Sequence, residues 1–259
     1  MYNERTLKVC GALKELSETQ FKLVEGIINQ FSVPYLHICR HEFSDLISDD
    51  VLADFGDTLR AHHLFSNEAF TKDKFEYALV KVLINCGSQA EMAARGKRGN
   101  DILVNDIPIS LKTQADKGIK RESIHISKYM ELGRGNWSDN PADLIGLRDS
   151  FLHHLQGYER VFTLRCLTKV NDIWEYELVE IPKTLLEEAE KGTLTMQINS
   201  KQSPKPGYCD VQLNGSKALQ LYFDGGTERK LQIRNLDIKN CVIHATWKFG
   251  IYKEPAILD

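Results

Sequence analysis

Gly99-Asn-Asp-Ile-Leu-Val-Asn-Asp-Ile-Pro-Ile-Ser-Leu-Lys-Thr-Gln114 is the stretch whose reading decides the fold. Ile102 to Val104 and Ile107 to Thr113 have the apolar, β-branched character of strands. Asn105-Asp106 between them is turn-forming, so the stretch predicts a β-hairpin. Strand side chains alternate between faces, which points Ile107, Ile109 and Leu111 one way and Ser110 and Lys112 the other. Asp101 begins the partner strand and can face the same side. A carboxylate, a hydroxyl and an ammonium are thus expected to converge across one hairpin.

Outward from the hairpin, the period changes. On the N-terminal side, Ser17 and Thr19 precede Phe21, Val24, Ile27, Ile28 and Phe31 at helical spacing, ended by Pro34. A second helix is predicted over 71–86, with Thr71 as N-cap, Phe75, Ala78, Leu79, Val82 and Leu83 on its apolar face, and Gly87 at C′. On the C-terminal side, Asn140-Pro141 opens a helix that carries Leu144, Leu147, Phe151 and Leu155 and ends at Gly157. Val161 to Leu167 then reads as a buried strand and Trp174 to Ile181 as another. Pro182 starts a short helix that Gly192 stops. Candidate strands follow at 194–198, 209–213, 219–223, 231–233 and 242–249. The predicted class is α/β (α+β), with a mixed central sheet flanked by helices and a β-rich C-terminal part. The expected division is an N-terminal helical region over 1–70, a core over 71–192 and a β-rich region over 193–259.

Composition narrows the class of function. Apolar residues make up 42% and charged residues 27% of the chain, as in ordinary globular proteins. No run of about 18 apolar residues is present to span a membrane. Met1 to Lys8 is polar and charged, without a signal-peptide core behind it, so a cytoplasmic location is expected. No two of the six cysteines have C-x-x-C spacing, which argues against zinc and for reduced, buried thiols. The formal net charge is −3, yet the charge is unevenly spread. Residues 95–130 hold 8 Lys or Arg against 4 Asp or Glu, and residues 198–259 hold 9 against 6. Two positive segments on an acidic chain suit a polyanion gripped in particular places.

The hairpin carries the chemistry. Phosphodiester hydrolysis needs a carboxylate to hold Mg²⁺, which activates water and offsets charge on the phosphate. The backbone carbonyl of Leu111 is a hard oxygen ligand beside Asp101, and the Lys112 ammonium can hold the attacking water. With the helix before it and the helix and strand after it, D-x₈-S-x-K resembles the PD-(D/E)xK nuclease family, best known from type II restriction endonucleases. The resemblance covers roughly residues 70–170. It implies a restriction-endonuclease-like core of helix 71–86, strands near 89–94, 101–105 and 107–113, helix 141–156 and strand 160–167. Asn100 stands where the family has Pro, and Ser110 where it has an acidic residue. The missing carboxylate is then expected from Glu76, on an otherwise apolar part of its helix, with Glu122 and Glu131 as weaker donors. The implied catalytic set is Asp101, Ser110, Lys112 and Glu76, with Asp101, Leu111 and Glu76 around Mg²⁺.

Residues suited to holding DNA flank this set: Arg95, Lys97 and Arg98 before it, and Gln114, Lys117, Lys120, Arg121 and Lys128 after it. Arg229, Lys230 and Arg234 lie among the later β segments, with Gln220, Gln232 and Asn235, side chains suited to base edges. The adjacent pairs His62-His63 and His153-His154 are poor metal sites, because neighbours on a helix diverge. Trp137, Trp174 and Trp247 are expected in the core. The resemblance implies a homodimeric, Mg²⁺-dependent type II enzyme that cuts double-stranded DNA at a short palindrome. The alternatives are a repair or recombination nuclease of the same fold and a non-catalytic DNA-binding protein.

Overall fold

The structure, a computed structural model, describes residues 3–94, 99–116, 118–133 and 137–253. Two sheets organise it. The larger has seven strands in the order β1 (His37–Arg40), β12 (Val242–Gly250), β7 (Ile173–Ile181), β6 (Arg160–Val170), β4 (Ile107–Gln114), β3 (Ile102–Val104) and β2 (Ala90–Met92). The smaller has five, in the order β5 (Ser123–Glu131), β11 (Lys230–Asp237), β10 (Ser216–Phe223), β9 (Gly207–Leu213) and β8 (Thr193–Met196). β4 and β6 pair in parallel, and every other pair is antiparallel. The expected mixed α/β class is what the chain adopts.

The predicted hairpin forms with Ile102 opposite Ile109 and Val104 opposite Ile107. Asn105 and Asp106 take φ of 49° and 64°, the left-handed pair a two-residue loop requires. Helix α2 (Glu18–Ser32) follows α1 (Glu4–Leu13) and starts at Ser17, whose capping box with Gln20 is complete. Helix α4 (Asp73–Asn85) follows α3 (Asp49–Phe65) but is not capped by Thr71. Lys72 occupies the cap position with φ 54° and no side-chain cap, because the chain turns sharply there. Gly87 does take the C′ position, at φ 89°, with the Ser88 amide donating to the Leu83 carbonyl. Helix α5 (Asp143–Leu155) begins later than Pro141, and Asn140 instead accepts the Ala142 amide in the turn before it.

Alternation along the strands divides the core in two. Phe162, Leu164 and Leu178 join Ile109, Leu111 and the apolar faces of α3 and α4. Val161, Val179 and Ile181 point the opposite way, against α5 and the inner face of the small sheet. Helix α5 and β5 together make the crossover between β4 and β6. β5 is absent from the sequence reading, although Ile124 and Ile126 alternate with polar neighbours. Ile107 is also a correction: at 41% exposed it lies at the hairpin tip, outside the core.

The boundary expected at residue 193 does not separate the sheets. β12, from the C-terminal part, closes onto β7 and β1 of the large sheet. β5, from the expected core, forms the edge of the small one. After β7, helix α6 (Lys183–Glu187) and a turn of 3₁₀ helix lead into the small sheet. Trp137, Trp174 and Trp247 are buried as expected. His63 is a core residue, stacked on Trp174 at 3.5 Å and hydrogen-bonded to the Tyr176 hydroxyl at 2.8 Å. All six cysteines are unpaired thiols, but Cys10 and Cys39 are exposed rather than buried. Among the described residues no helix is long and apolar enough to cross a membrane.

Candidate active site

β3 begins at Ile102, so β4 loses its partner on that side beyond Ile109. Asp101 fills the opening. Its amide donates to the Ile109 carbonyl at 2.9 Å and its carbonyl accepts from Ala93 at 3.0 Å, which fixes the backbone. Its Oδ2 then accepts from the Leu111 amide at 2.6 Å and from Ser110 Oγ at 3.1 Å. Lys112 Nζ donates to Ser110 Oγ at 2.8 Å and stands 3.6 Å from Asp101 Oδ2. The three side chains singled out on the hairpin therefore meet. Ser110 is fully buried and sits between the other two, a closer role than that of a loose polar neighbour.

Glu76 reaches the same place from α4. It is half-buried, and its carboxyl is pushed above the usual range by burial and then by the negative charge of Asp101, with Lys112 opposing. Two carboxylates held near each other beside an open strand edge are a cation-binding arrangement. The Leu111 amide points to that edge, and in a β-strand the carbonyl of the same residue points the same way. Among the described residues no three His, Cys, Asp or Glu side chains gather to hold a metal. The oxygens that could hold a metal here are two carboxylates and one backbone carbonyl. That suits Mg²⁺, which keeps several waters and takes the rest of its oxygens from a phosphate. Asn100, next to Asp101, is 4% exposed, and among the described residues neither atom of its amide has a partner.

Three further residues surround Lys112, and the sequence reading missed their role. Lys112 Nζ lies 5.4 Å from the ring centroid of Tyr129 on β5. The Tyr129 hydroxyl is 2.6 Å from that of Tyr158, and both rings are buried. His154 of α5 packs edge-on to both rings, at 6.1 and 5.6 Å. Burial, then the charge of Lys112, lowers its pKa. The Nδ1 of its neighbour His153 lies 3.2 Å from Gln156 Oε1. The sequence carries no direct signal for Tyr129: it is out of phase with Ile124 and Ile126, and the irregular pairing of β5 with β11 turns it inward.

The expected DNA-contacting residues have separate fates. Arg95, Lys97, Arg98 and Lys117 lie outside the described residues. Gln114 is a correction: it is 4% exposed, and its carbonyl oxygen accepts from Arg165 Nε at 2.8 Å, so its side chain is not offered to a ligand. Arg165 is itself fully buried and also donates to the carbonyls of Lys120, Arg121 and Ser123, which holds the loop after β4. Arg121 is clamped to Glu175 at 2.6 and 2.8 Å. Lys120 is exposed, and Lys128 is exposed beside Glu131 at 2.8 Å. Arg229 takes φ 42° at the turn before β11, and Lys230 pairs with Glu228 at 3.2 Å. Arg234 lies on β11, in the small sheet. Of the alternative carboxylate donors, Glu122 precedes β5, where its carbonyl accepts the Ile238 amide, and Glu131 ends that strand.

Comparison with known proteins places this chain in a family. Residues 9–249 match the family model described as SmaI, type II site-specific deoxyribonuclease. The type II restriction enzyme SmaI of Serratia marcescens is 45% identical over 207 residues, 79% of this chain and 82% of that protein. No solved structure matches. A match over nearly the whole chain sets aside the repair-nuclease and non-catalytic alternatives: the chain belongs to the SmaI family of type II site-specific deoxyribonucleases, restriction endonucleases that cut DNA.

Proposed function

We propose that the enzyme is a Mg²⁺-dependent homodimer that hydrolyses both strands of duplex DNA at a short palindrome, with Asp101, Ser110, Lys112 and Glu76 as its active site. The observation that carries this reading is the convergence of Asp101 and Lys112 on Ser110 at the open edge of β4. The reading treats the site as a PD-(D/E)xK variant in which Ser110 replaces the middle acid and Glu76 supplies the second carboxylate.

Asp101, Glu76 and the Leu111 carbonyl would hold the metal. When bound, Mg²⁺ supplies Lewis-acid stabilisation of charge on the phosphate and acidifies a water. Lys112 Nζ, fixed by Ser110 and resting on Tyr129, orients the water that attacks phosphorus and offsets charge as the phosphorus–oxygen bond breaks. Ser110 positions Lys112 and Asp101 relative to each other. Two copies related by a two-fold axis present one such site to each strand of a palindrome.

Plasmid digestion with Mg²⁺ and with a chelator tests the reading. Discrete fragments with Mg²⁺, none with chelator, and no cleavage by an Asp101→Ala variant that still binds DNA are expected. Cleavage in chelator, or by Asp101→Ala at near-normal rate, would refute it.

A further inference from the structure

The small sheet carries a polar face that the cleavage chemistry leaves unused. On β11, Leu231, Ile233 and Leu236 bury against the core, while Gln232 and Arg234 point away from it. On β10, Tyr222 stands opposite Gln232, and Gln220 opposite Arg234. Arg234 is held from two sides. Its guanidinium carbon lies 3.5 Å from the ring centroid of Tyr222. Its Nε and Nη2 both donate to Gln232 Oε1, at 2.9 and 2.7 Å.

That arrangement has a chemical consequence. Nη1 and the second hydrogen of Nη2 form the open fork of the guanidinium, since Gln232 occupies the other side. Gln232 spends its acceptor on Arg234, so its remaining amide valences are N–H donors. Among the described residues no carboxylate lies within ion-pair distance of Arg234, unlike Arg121, Arg160 and Arg165. A rigid cation presenting only donors, without an internal anion, is prepared for two adjacent acceptors on a ligand. In the major groove guanine alone offers such a pair, O6 and N7, whereas adenine sets a donor beside its acceptor. Tyr222 and Gln232 pre-organise the fork, so little side-chain freedom remains to be lost on contact.

The strand that carries Arg234 also adjoins the strand that lines the site. Ile233 pairs with Ile126 of β5, and β5 passes Lys112 at Tyr129.

We infer that Arg234, fixed by Gln232 and Tyr222, is a specificity-determining residue that reads one guanine through its major-groove edge. The inference rests on the proposed cleavage of duplex DNA at a short sequence. Binding tests it, so it can fail while cleavage stands, and the plasmid digest shows by itself whether cleavage fails. The cleaved site is read from the fragment ends of a plasmid digest. Duplexes of that site are then made with 7-deazaguanine, which lacks the N7 acceptor, at one guanine at a time. Their affinities for wild type, Arg234→Ala and Arg234→Lys are measured by fluorescence anisotropy with Ca²⁺ in place of Mg²⁺.

At one position the 7-deaza substitution should cost wild type about tenfold or more in Kd. The same substitution should cost Arg234→Ala less than twofold. Arg234→Lys keeps the charge but has no fork, so it should also lose the discrimination; it carries the test should the alanine variant fail to fold. Three results would overturn the inference: a site without guanine, an equal 7-deaza cost in wild type and variants, or an equal loss by Arg234→Ala on all sequences with a salt slope reduced by about one unit. The last is the signature of a phosphate contact.

Discussion

Removing the Lys112 ammonium separates a catalytic role from a structural one. In the fold, Lys112 donates one charge-assisted hydrogen bond to buried Ser110 and stands 3.6 Å from Asp101, with 14% of its side chain exposed. A hydrogen bond from a charged donor contributes about 1.5–3 kcal/mol. Lys112→Met keeps the apolar stem in place, so a loss of about 2 kcal/mol is expected. For a chain of this size that lowers the Tm by about 4–8 °C. Loss of a fixed charge aimed at the reacting phosphate costs more, about 10²–10³ in rate. The two effects are separable at 25 °C, where a variant with that Tm shift remains folded. Single-turnover plasmid cleavage with saturating Mg²⁺ measures the rate, and thermal melting of the same preparation measures stability. A folded Lys112→Met enzyme cutting within tenfold of wild type would refute the assignment. So would a rate loss that tracks the unfolded fraction as temperature is varied.

Glu76→Gln should cut at least 100-fold more slowly while remaining folded, because the site then keeps a single carboxylate; normal cutting by this variant, with a dead Glu122→Gln or Glu131→Gln, would move the donor to β5. Ser110→Ala should lose about tenfold in rate, since a bridging hydroxyl is removed but no charge, and a silent substitution would show that Lys112 does not depend on it. Glu180 is a pH probe: burial works to raise its pKa, but hydrogen bonds from Arg160 and His244 hold it at about 2, below the ordinary 4.5. A depressed carboxylate stabilises the fold fully above the unfolded value, and the contribution, about 3 kcal/mol, is lost as pH falls from about 4.5 towards 2. Melting temperatures should therefore fall more steeply over that window in wild type than in Glu180→Gln, and equal slopes would contradict the sign. Finally, α2 leaves Phe21, Ile28 and Phe31 on one side, each at least 44% exposed, and the proposed dimer is expected to bury them. Ile28→Glu with Phe31→Glu should halve the mass seen by light scattering, and an unchanged dimer would locate the interface elsewhere.

The sequence by itself determined the hairpin and its chemistry. Asn105-Asp106 tolerates the left-handed turn, and the period of two in β4 places Ser110 and Lys112 together. One open valence at the end of β3 then brings Asp101 to them. These relations are settled within sixteen residues by backbone geometry, so they are legible without the rest of the molecule. The α5 crossover was legible for the same reason, through its helical period and the Asn140-Pro141 turn.

What the tertiary structure decided was which surfaces meet. Glu76 was a candidate from its apolar helix face, but only the packing of α4 beside β2 at the edge of the large sheet brings it near Asp101. The Tyr129–Tyr158 pair and His154 reach Lys112 because β5 leaves the large sheet and edges the small one. A sequence period marks a strand but does not name its neighbour. Cys241-Val-Ile likewise leads into a strand that could have closed either sheet, and β12 joins β7 and β1. Gln114 looked like a polar residue free for DNA until Arg165, on the adjacent strand, took its oxygen. Arg234 was one of three cations among the later β segments expected to contact DNA, and the β10–β11 register set it apart by placing Tyr222 beneath it. Period and turn chemistry are local and act over a few residues, whereas strand pairing and burial are chosen by the free energy of the whole core.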